Sequence, residues 1–244
     1  MPRRYANPPV VEAICEFHLP PEPPWDLTVP GLFYERVRED FPHRERRMVQ
    51  DIEFVQTPQG LEQRIHTGER LLLFSHDRKR LIQLGMRLLV INVLRPYPGW
   101  AEFKELIQQV WEALKAVVEV QGVTRMALRY INRVELPSST ASLETYFAFY
   151  PHIGHQLPNT ITSFIMGVEF AFAEGRDRCR VHMAQAADDK RSIMLDLNYY
   201  LARPGAVPLP EVLSWMEEAH TRVEEVFEGC ITDALRALFE ERGQ

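Results

Sequence analysis

The sequence predicts an α+β fold whose helices lie on one face of antiparallel sheet, and three observations lead there. Short runs rich in Leu, Ile and Val are closed by turns too brief for a parallel crossover, which gives antiparallel meanders. Two long stretches carry apolar residues at steps of three and four, the mark of helices with a single apolar stripe. The same order of elements is then met twice, as strand, short helix, meander and long helix in residues 1–122 and again in 123–244. Ile14-Cys15-Glu16-Phe17-His18-Leu19-Pro20 is echoed by Ile131-Asn132-Arg133-Val134-Glu135-Leu136-Pro137, and Leu89 to Pro96 by Leu195 to Tyr200. An internal duplication is therefore expected, with a cleft or a continuous sheet at its pseudo-twofold axis.

Asn7-Pro8-Pro9 is held extended, because a residue before proline is pushed out of the helical region, and it opens onto a strand from Val10 to Leu19. A proline-rich connector, 20–30, follows. Leu32, Phe33, Val37 and Phe41 recur at helical spacing until Pro42 ends the helix. Met48 to Gln56, Leu61 to His66, Leu71 to Ser75, Arg80 to Leu84 and Arg87 to Leu94 read as short strands. Between Trp100 and Val120 a helix presents Phe103, Leu106, Ile107, Val110, Leu114 and Val117 on one face. The second half repeats the theme with a strand at Thr124 to Leu136, a short helix at Leu143 to Phe149 and strands at Thr162 to Phe172, Arg178 to Ala186 and Ile193 to Leu201. Pro210 to Phe239 closes the pattern as a helix with a stripe through Val212, Met216, Ala219, Val223 and Phe227, and Gly229 invites a break.

With 45% apolar and 25% charged residues the 244-residue chain has ordinary globular proportions. Met1-Pro2-Arg3-Arg4-Tyr5 lacks the apolar segment of a secretory signal, and no apolar run nears the roughly 20 residues of a membrane span, so a cytoplasmic protein without membrane association is expected. Cys15, Cys179 and Cys230 are widely separated and flanked by apolar residues, which reads as buried thiols. Residues 205–244 hold nine Asp/Glu against three Arg and so carry the whole net charge of −6. A neutral body with an acidic helix argues against nucleic acid and points to a protein partner, with a basic surface as its complement; a homodimer is open.

Three segments carry a resemblance: Asn7-Pro8-Pro9-Val10-Val11-Glu12-Ala13-Ile14-Cys15-Glu16, then Leu128-Arg129-Tyr130-Ile131-Asn132-Arg133-Val134, and Leu195-Asp196-Leu197-Asn198 with Ala219-His220 and Phe227 through Thr232. Together they resemble a sporadically distributed family of uncharacterised prokaryotic proteins of about this length. The resemblance implies a bacterial or archaeal accessory gene, of the kind that travels with mobile or defence loci, and brings no catalytic residues with it.

Among candidate sites, His152-Ile153-Gly154-His155 has a ligand-like gap but no neighbouring Cys or carboxylate, and Ser75-His76-Asp77 reads as a hairpin turn rather than a triad. No glycine loop of phosphate-binding type occurs, so neither cofactor nor metal is expected. Arg36, Arg38, His43, Arg44, Arg46 and Arg47 form a basic cluster diluted by Glu35, Glu39, Asp40 and Glu45. The main polar constellation is Arg129, Asn132, Arg133, Asp196, Asn198 and His220, set into otherwise apolar segments where unpaired polar groups are costly. These residues either tie the halves together or line a ligand site in which the arginines suit a carboxylate or phosphate. The function expected is a non-catalytic interaction or ligand-sensing module; the alternative is an enzyme, RNA-processing among others, acting between the repeats. If the echoed strands pair antiparallel, Glu12 should approach Arg133 and Glu16 should approach Arg129.

Overall fold

A computed structural model describes residues 5–22, 25–57, 60–139, 141–154, 156–157 and 161–239, with the backbone alone for 50–57 and 60–67. The strands are β1 (Val10–His18), β2 (His43–Thr57), β3 (Gly60–Phe74), β4 (Arg80–Gly85), β5 (Leu88–Leu94), β6 (Arg125–Glu135), β7 (Ile165–Phe172), β8 (Asp177–Gln185) and β9 (Ser192–Leu201). The helices are α1 (Val29–Val37), α2 (Trp100–Lys115), α3 (Leu143–Tyr146), α4 (Val212–Cys230) and α5 (Asp233–Leu238). All nine strands join one sheet in the order β2-β3-β4-β5-β1-β6-β9-β8-β7, every described pairing being antiparallel.

Strand alternation makes the two faces of this sheet chemically different. Ala13, Cys15 and Phe17 of β1 are fully buried, as are Leu89 and Ile91, Met126 and Leu128, Leu195, Leu197 and Tyr199, and Cys179, Val181 and Met183. These side chains form one core with the apolar stripes of α1, α2 and α4. Phe17 stacks on Trp111 of α2 with ring centroids 4.5 Å apart, and Tyr199 meets Trp215 of α4 at 5.6 Å. The other face bears Glu12, Glu16, Arg129, Asp196, Asn198 and Arg180. Among the described residues no helix is long and apolar enough to cross a membrane.

Of the cleft and the continuous sheet that the sequence left open, the structure has the continuous sheet, with β1 and β6 antiparallel neighbours at its centre. The boundaries differ where backbone pairing outlasts the apolar pattern. The strands expected at Leu61 to His66 and Leu71 to Ser75 are one strand, β3, because Thr67-Gly68-Glu69-Arg70 keep pairing with β2 through Arg47 to Gln50. Pro58 and Gln59, between β2 and β3, lie outside the described residues. Helix α2 ends at Lys115 rather than Val120, and the C-terminal helix breaks after Cys230 rather than at Gly229. Ile231 turns extended and bridges to Phe147, and α5 resumes at Asp233. Gly229 tolerates the helix because it sits on the exposed side, with open space where a Cβ would be.

Candidate functional site

The uncovered face is built by residues that alternate with the core. Across its middle runs one row, Ile14 opposite Arg129, Arg129 opposite Asn198, Asn198 opposite Arg180 and Arg180 opposite Glu169. Arg129 grips Asp196 in a two-pronged pair, Nε to Oδ1 at 2.8 Å and Nη2 to Oδ2 at 2.6 Å, which raises the guanidinium's affinity for its proton. Arg180 does the same with Glu169, Nε and Nη2 reaching Oε2 at 3.2 and 3.0 Å. Tyr200 donates to that carboxylate at 2.7 Å and Arg178 at 2.8 Å. Burial would raise the Glu169 carboxyl, but these donors outweigh it and hold the pKa below its usual 4.5.

Asn198 sits between the two arginines with its Oδ1 buried and without a hydrogen-bond partner among the described residues. Each guanidinium uses its Nε and Nη2 edge for its carboxylate, so Nη1 of both is left without a partner among the described residues. Arg125 lies over the Tyr200 ring at 4.9 Å and Arg180 at 5.6 Å. His182, on the same face, is neutral at pH 7, since burial lowers its pKa below 6.5.

On the other side of β1 a chain of amides continues the polar surface. Arg70 donates to Gln83 at 3.0 Å, Gln83 to Asn92 at 3.0 Å and Asn92 to Glu12 at 2.7 Å. Glu16 contacts His18; burial would raise the Glu16 pKa, but His18 and the nearby Arg125 and Arg70 outweigh it and keep it below 4.5. A depressed carboxylate pKa means stability that is complete above about pH 4.5 and lost as pH falls through the folded-state value. Glu16→Gln should therefore flatten the acid limb of a urea-unfolding profile between about pH 5 and 3; an unchanged limb would show that Glu16 is not held as an anion.

The predicted constellation is thus divided by the sheet. Arg129, Arg133, Asp196 and Asn198 share the open face, although Arg133 reaches outward to Asp188 at 2.9 Å. Asn132 and His220 lie on the helix side. Asn132 is buried and donates to the Leu195 carbonyl at 3.1 Å, a structural role. His220 accepts or donates at the Tyr130 hydroxyl at 3.1 Å, pairs with Glu224 at 3.2 Å and stacks on Trp100 at 4.2 Å. Tyr130 in turn meets Tyr97 at 3.2 Å. The tie between halves is therefore aromatic and on the helix side, where Trp100 and Lys104 also bind Glu217 at 3.0 and 2.7 Å.

The charge pairs expected across the seam do not form. Register sets Glu12 opposite Ile131 and Glu16 opposite Ala127, so Arg129 lies diagonal to both glutamates and takes Asp196 instead. The acidic helix is also largely committed within the chain: Glu217 to Lys104, Glu218 to Arg176, Glu224 to His220, Glu225 to Arg222 and Glu228 to Arg236. In the basic cluster Arg38 pairs with Glu35, Arg46 with Glu69 and Arg47 with Glu45. Ser75 and Asp77 bond each other in the β3–β4 turn at 2.7 Å. His155 lies outside the described residues. Among the described residues no three His, Cys, Asp or Glu side chains gather as a metal site.

Sequence reading missed Arg125, Arg180, Glu169 and Tyr200. A signal was present in Arg178-Cys179-Arg180-Val181-His182-Met183, whose strict alternation sets every basic side chain on one face of a strand. Neither the protein-family models nor the curated proteins compared with the chain give a match.

Proposed function

We propose that the protein is a non-catalytic binding module that takes up a carboxylate- or phosphate-bearing ligand on the open sheet face, between Arg129 and Arg180. The observation that carries this reading is Asn198, a buried acceptor without a partner, flanked by two guanidinium groups that their carboxylates hold in fixed orientation. An unmatched buried acceptor costs about 1–3 kcal/mol, and because an anionic oxygen cannot donate to it, the missing donor is a P–OH or hydroxyl group beside the anionic oxygens that the arginines bind. Arginines locked by Asp196 and Glu169 lose little further freedom on binding. Against catalysis at the helix-side cluster, burial raises the Tyr130 and Tyr97 hydroxyl pKa values far above neutrality, so both keep their protons. Burial likewise raises the thiols of Cys15, Cys179 and Cys230, which makes them poor nucleophiles.

The same reading takes the two halves as copies of one unit. Matching Leu19 to Leu136 makes Ala13 equivalent to Tyr130, and these two residues are directly opposed in the seam. An axis through that pair relates Glu12 to Arg129 and, through the neighbouring strands, Asn92 to Asp196. The Glu12–Asn92 hydrogen bond and the Arg129–Asp196 ion pair then occupy corresponding places, with the ligand-seeking charge on one copy only. The resemblance of residues 7–16 and 128–134 adds that such a module would serve a prokaryotic accessory or defence locus.

Two measurements test the site. Asn198→Leu should leave the unliganded protein as stable as the wild type or more stable by about 1 kcal/mol, because it removes an unmatched acceptor. Inorganic phosphate or citrate, each compared with chloride at equal ionic strength, should raise the thermal midpoint by about 5–10 °C near saturation. Asn198→Leu and Arg180→Ala should abolish that rise. No rise with either anion, or a rise that survives both substitutions, would sink the reading.

A further inference from the structure

The two edges of the sheet are not alike. At one end β2 carries a dense charge run, His43-Arg44-Glu45-Arg46-Arg47, the usual protection of an edge against stray pairing. At the other end β7, Ile-Met-Gly-Val-Glu-Phe-Ala-Phe, has no Lys, Arg or Pro, and among the described residues pairs on one side alone, with β8. Its apolar side chains are open: Ile165 is 81% exposed, Phe170 46% and Val168 38%. Its single charge, Glu169, is already bound by Arg178 and Arg180 of β8. Beside the strand, on the helix face, lies an apolar cleft of about 450 Å³ between Phe149, Phe172, Val226 and Cys230.

The backbone fixes which groups this edge offers. Gln185 donates its N–H to the Phe164 carbonyl directly opposite, and antiparallel pairing alternates, so the even-numbered residues of β7 turn their amides toward β8. Ile165, Gly167, Glu169 and Ala171 therefore present N–H and C=O outward. A second strand must match those residues. We propose that β7 is a self-pairing edge that joins two copies of the chain, antiparallel, about a two-fold axis through Val168.

Charge and length select that register among the possible ones. Centring the axis on Glu169 opposes two like charges, which is destabilising, and centring it on Gly167 sets the outward amide of Ala171 opposite residue 163, beyond the strand. With Val168 at the axis, Glu169 faces Gly167 of the second copy, Ile165 faces Ala171 and Met166 faces Phe170. Every outward amide group finds a partner and no like charges meet. Gly167 suits this place for a second reason: a Cβ there would lie 2.4 Å from the His182 ring, so the position stays small and leaves room for the opposing Glu169 side chain. On the helix face, Phe170 of one copy packs beside Met166 of the other at the mouth of the apolar cleft. The result is isologous, as a closed dimer requires.

The axis makes a sharp test possible, because only Val168 meets its own copy. At tens of micromolar protein, sedimentation should report twice the 28.4 kDa of one chain. Val168→Lys should sediment as a single chain while unfolding cooperatively within about 2 °C of the wild type, as befits an exposed substitution. Val168→Cys should form an intermolecular disulfide on mild oxidation, since opposed residues at a non-hydrogen-bonded site have Cα atoms about 4.5 Å apart. Met166→Cys should not, because Phe170 stands opposite it; the three native cysteines are buried and give little background. A wild type that sediments as one chain, a dimer that survives Val168→Lys, or equal cross-linking of both cysteine variants would overturn the proposal.

Discussion

Asp177→Ala should destabilise the protein by about 3–5 kcal/mol, among the largest effects of any single substitution, measured by urea unfolding at neutral pH. The carboxylate is completely buried and accepts from Arg176 Nε and Nη2 at 3.0 and 2.6 Å, from the Tyr199 hydroxyl at 3.1 Å and from Trp215 Nε1 at 3.0 Å. Those donors come from β9, from the turn before β8 and from α4, so one side chain fastens the helix layer to the sheet. Its removal leaves the buried Tyr199 hydroxyl and Trp215 indole N–H without their acceptor and takes from Arg176 one of its two carboxylates. Glu218→Gln is the matching control. Glu218 also binds Arg176, at 3.0 Å, but is 42% exposed, and loses about 1 kcal/mol or less. If the two variants unfold alike, Asp177 is not the anchor and the interface rests on apolar packing alone.

Trp111→Ala should cost about 3–5 kcal/mol by opening a cavity at the centre of the other half. Trp111 is 2% exposed, and it stacks on Phe17, which is fully buried, with the ring planes 26° apart. That contact sets α2 on β1, the strand next to the seam. Trp100, on the same helix, is only partly buried and stacks on His220. Trp100→Ala should lose markedly less, because water can occupy the vacated surface. Equal losses from the two tryptophans would show that α2 is held mainly by its bridge to α4 rather than by the sheet.

The helix and strand types were legible because apolar periodicity reports burial directly, as the stripe Phe103, Leu106, Ile107, Val110 and Leu114 does for α2. The echoed strands around Ile14 and Ile131 pointed to a seam but left open whether it was a cleft or a continuous sheet. Register was not legible. From Glu12 to His18 the β1–β6 pairing sets Glu12 opposite Ile131 and Glu16 opposite Ala127, two residues away from the arginines, and the expected Glu–Arg pairs went with it. Asp177 was illegible for a related reason: within Arg176-Asp177-Arg178 it looks like a solvated charge, and only the approach of Tyr199 and Trp215 from distant elements makes it a core residue. The candidate site was half visible. Arg129, Asp196 and Asn198 stood out as polar residues in apolar strands, but whether a strand residue faces helices or water depends on parity across the sheet. That parity separated Asn132 from its neighbours and brought in Arg180.

The position of β1 bears on how the polypeptide is made. It pairs with β5 through Glu12 to Leu94 and with β6 through Val10 to Asn132, so both of its neighbours leave the ribosome long after it does. At about 5–20 residues per second, roughly 5–20 s pass before β6 has emerged. During that interval Val10 to His18 has both edges bare and then one, while β2 to β5 can already zip together as local hairpins. The event that completes the pairing of β1 is then the arrival of β6 at a waiting strand. A nascent chain stalled after α2 would display that single edge, Glu12 to His18, to any other strand within reach.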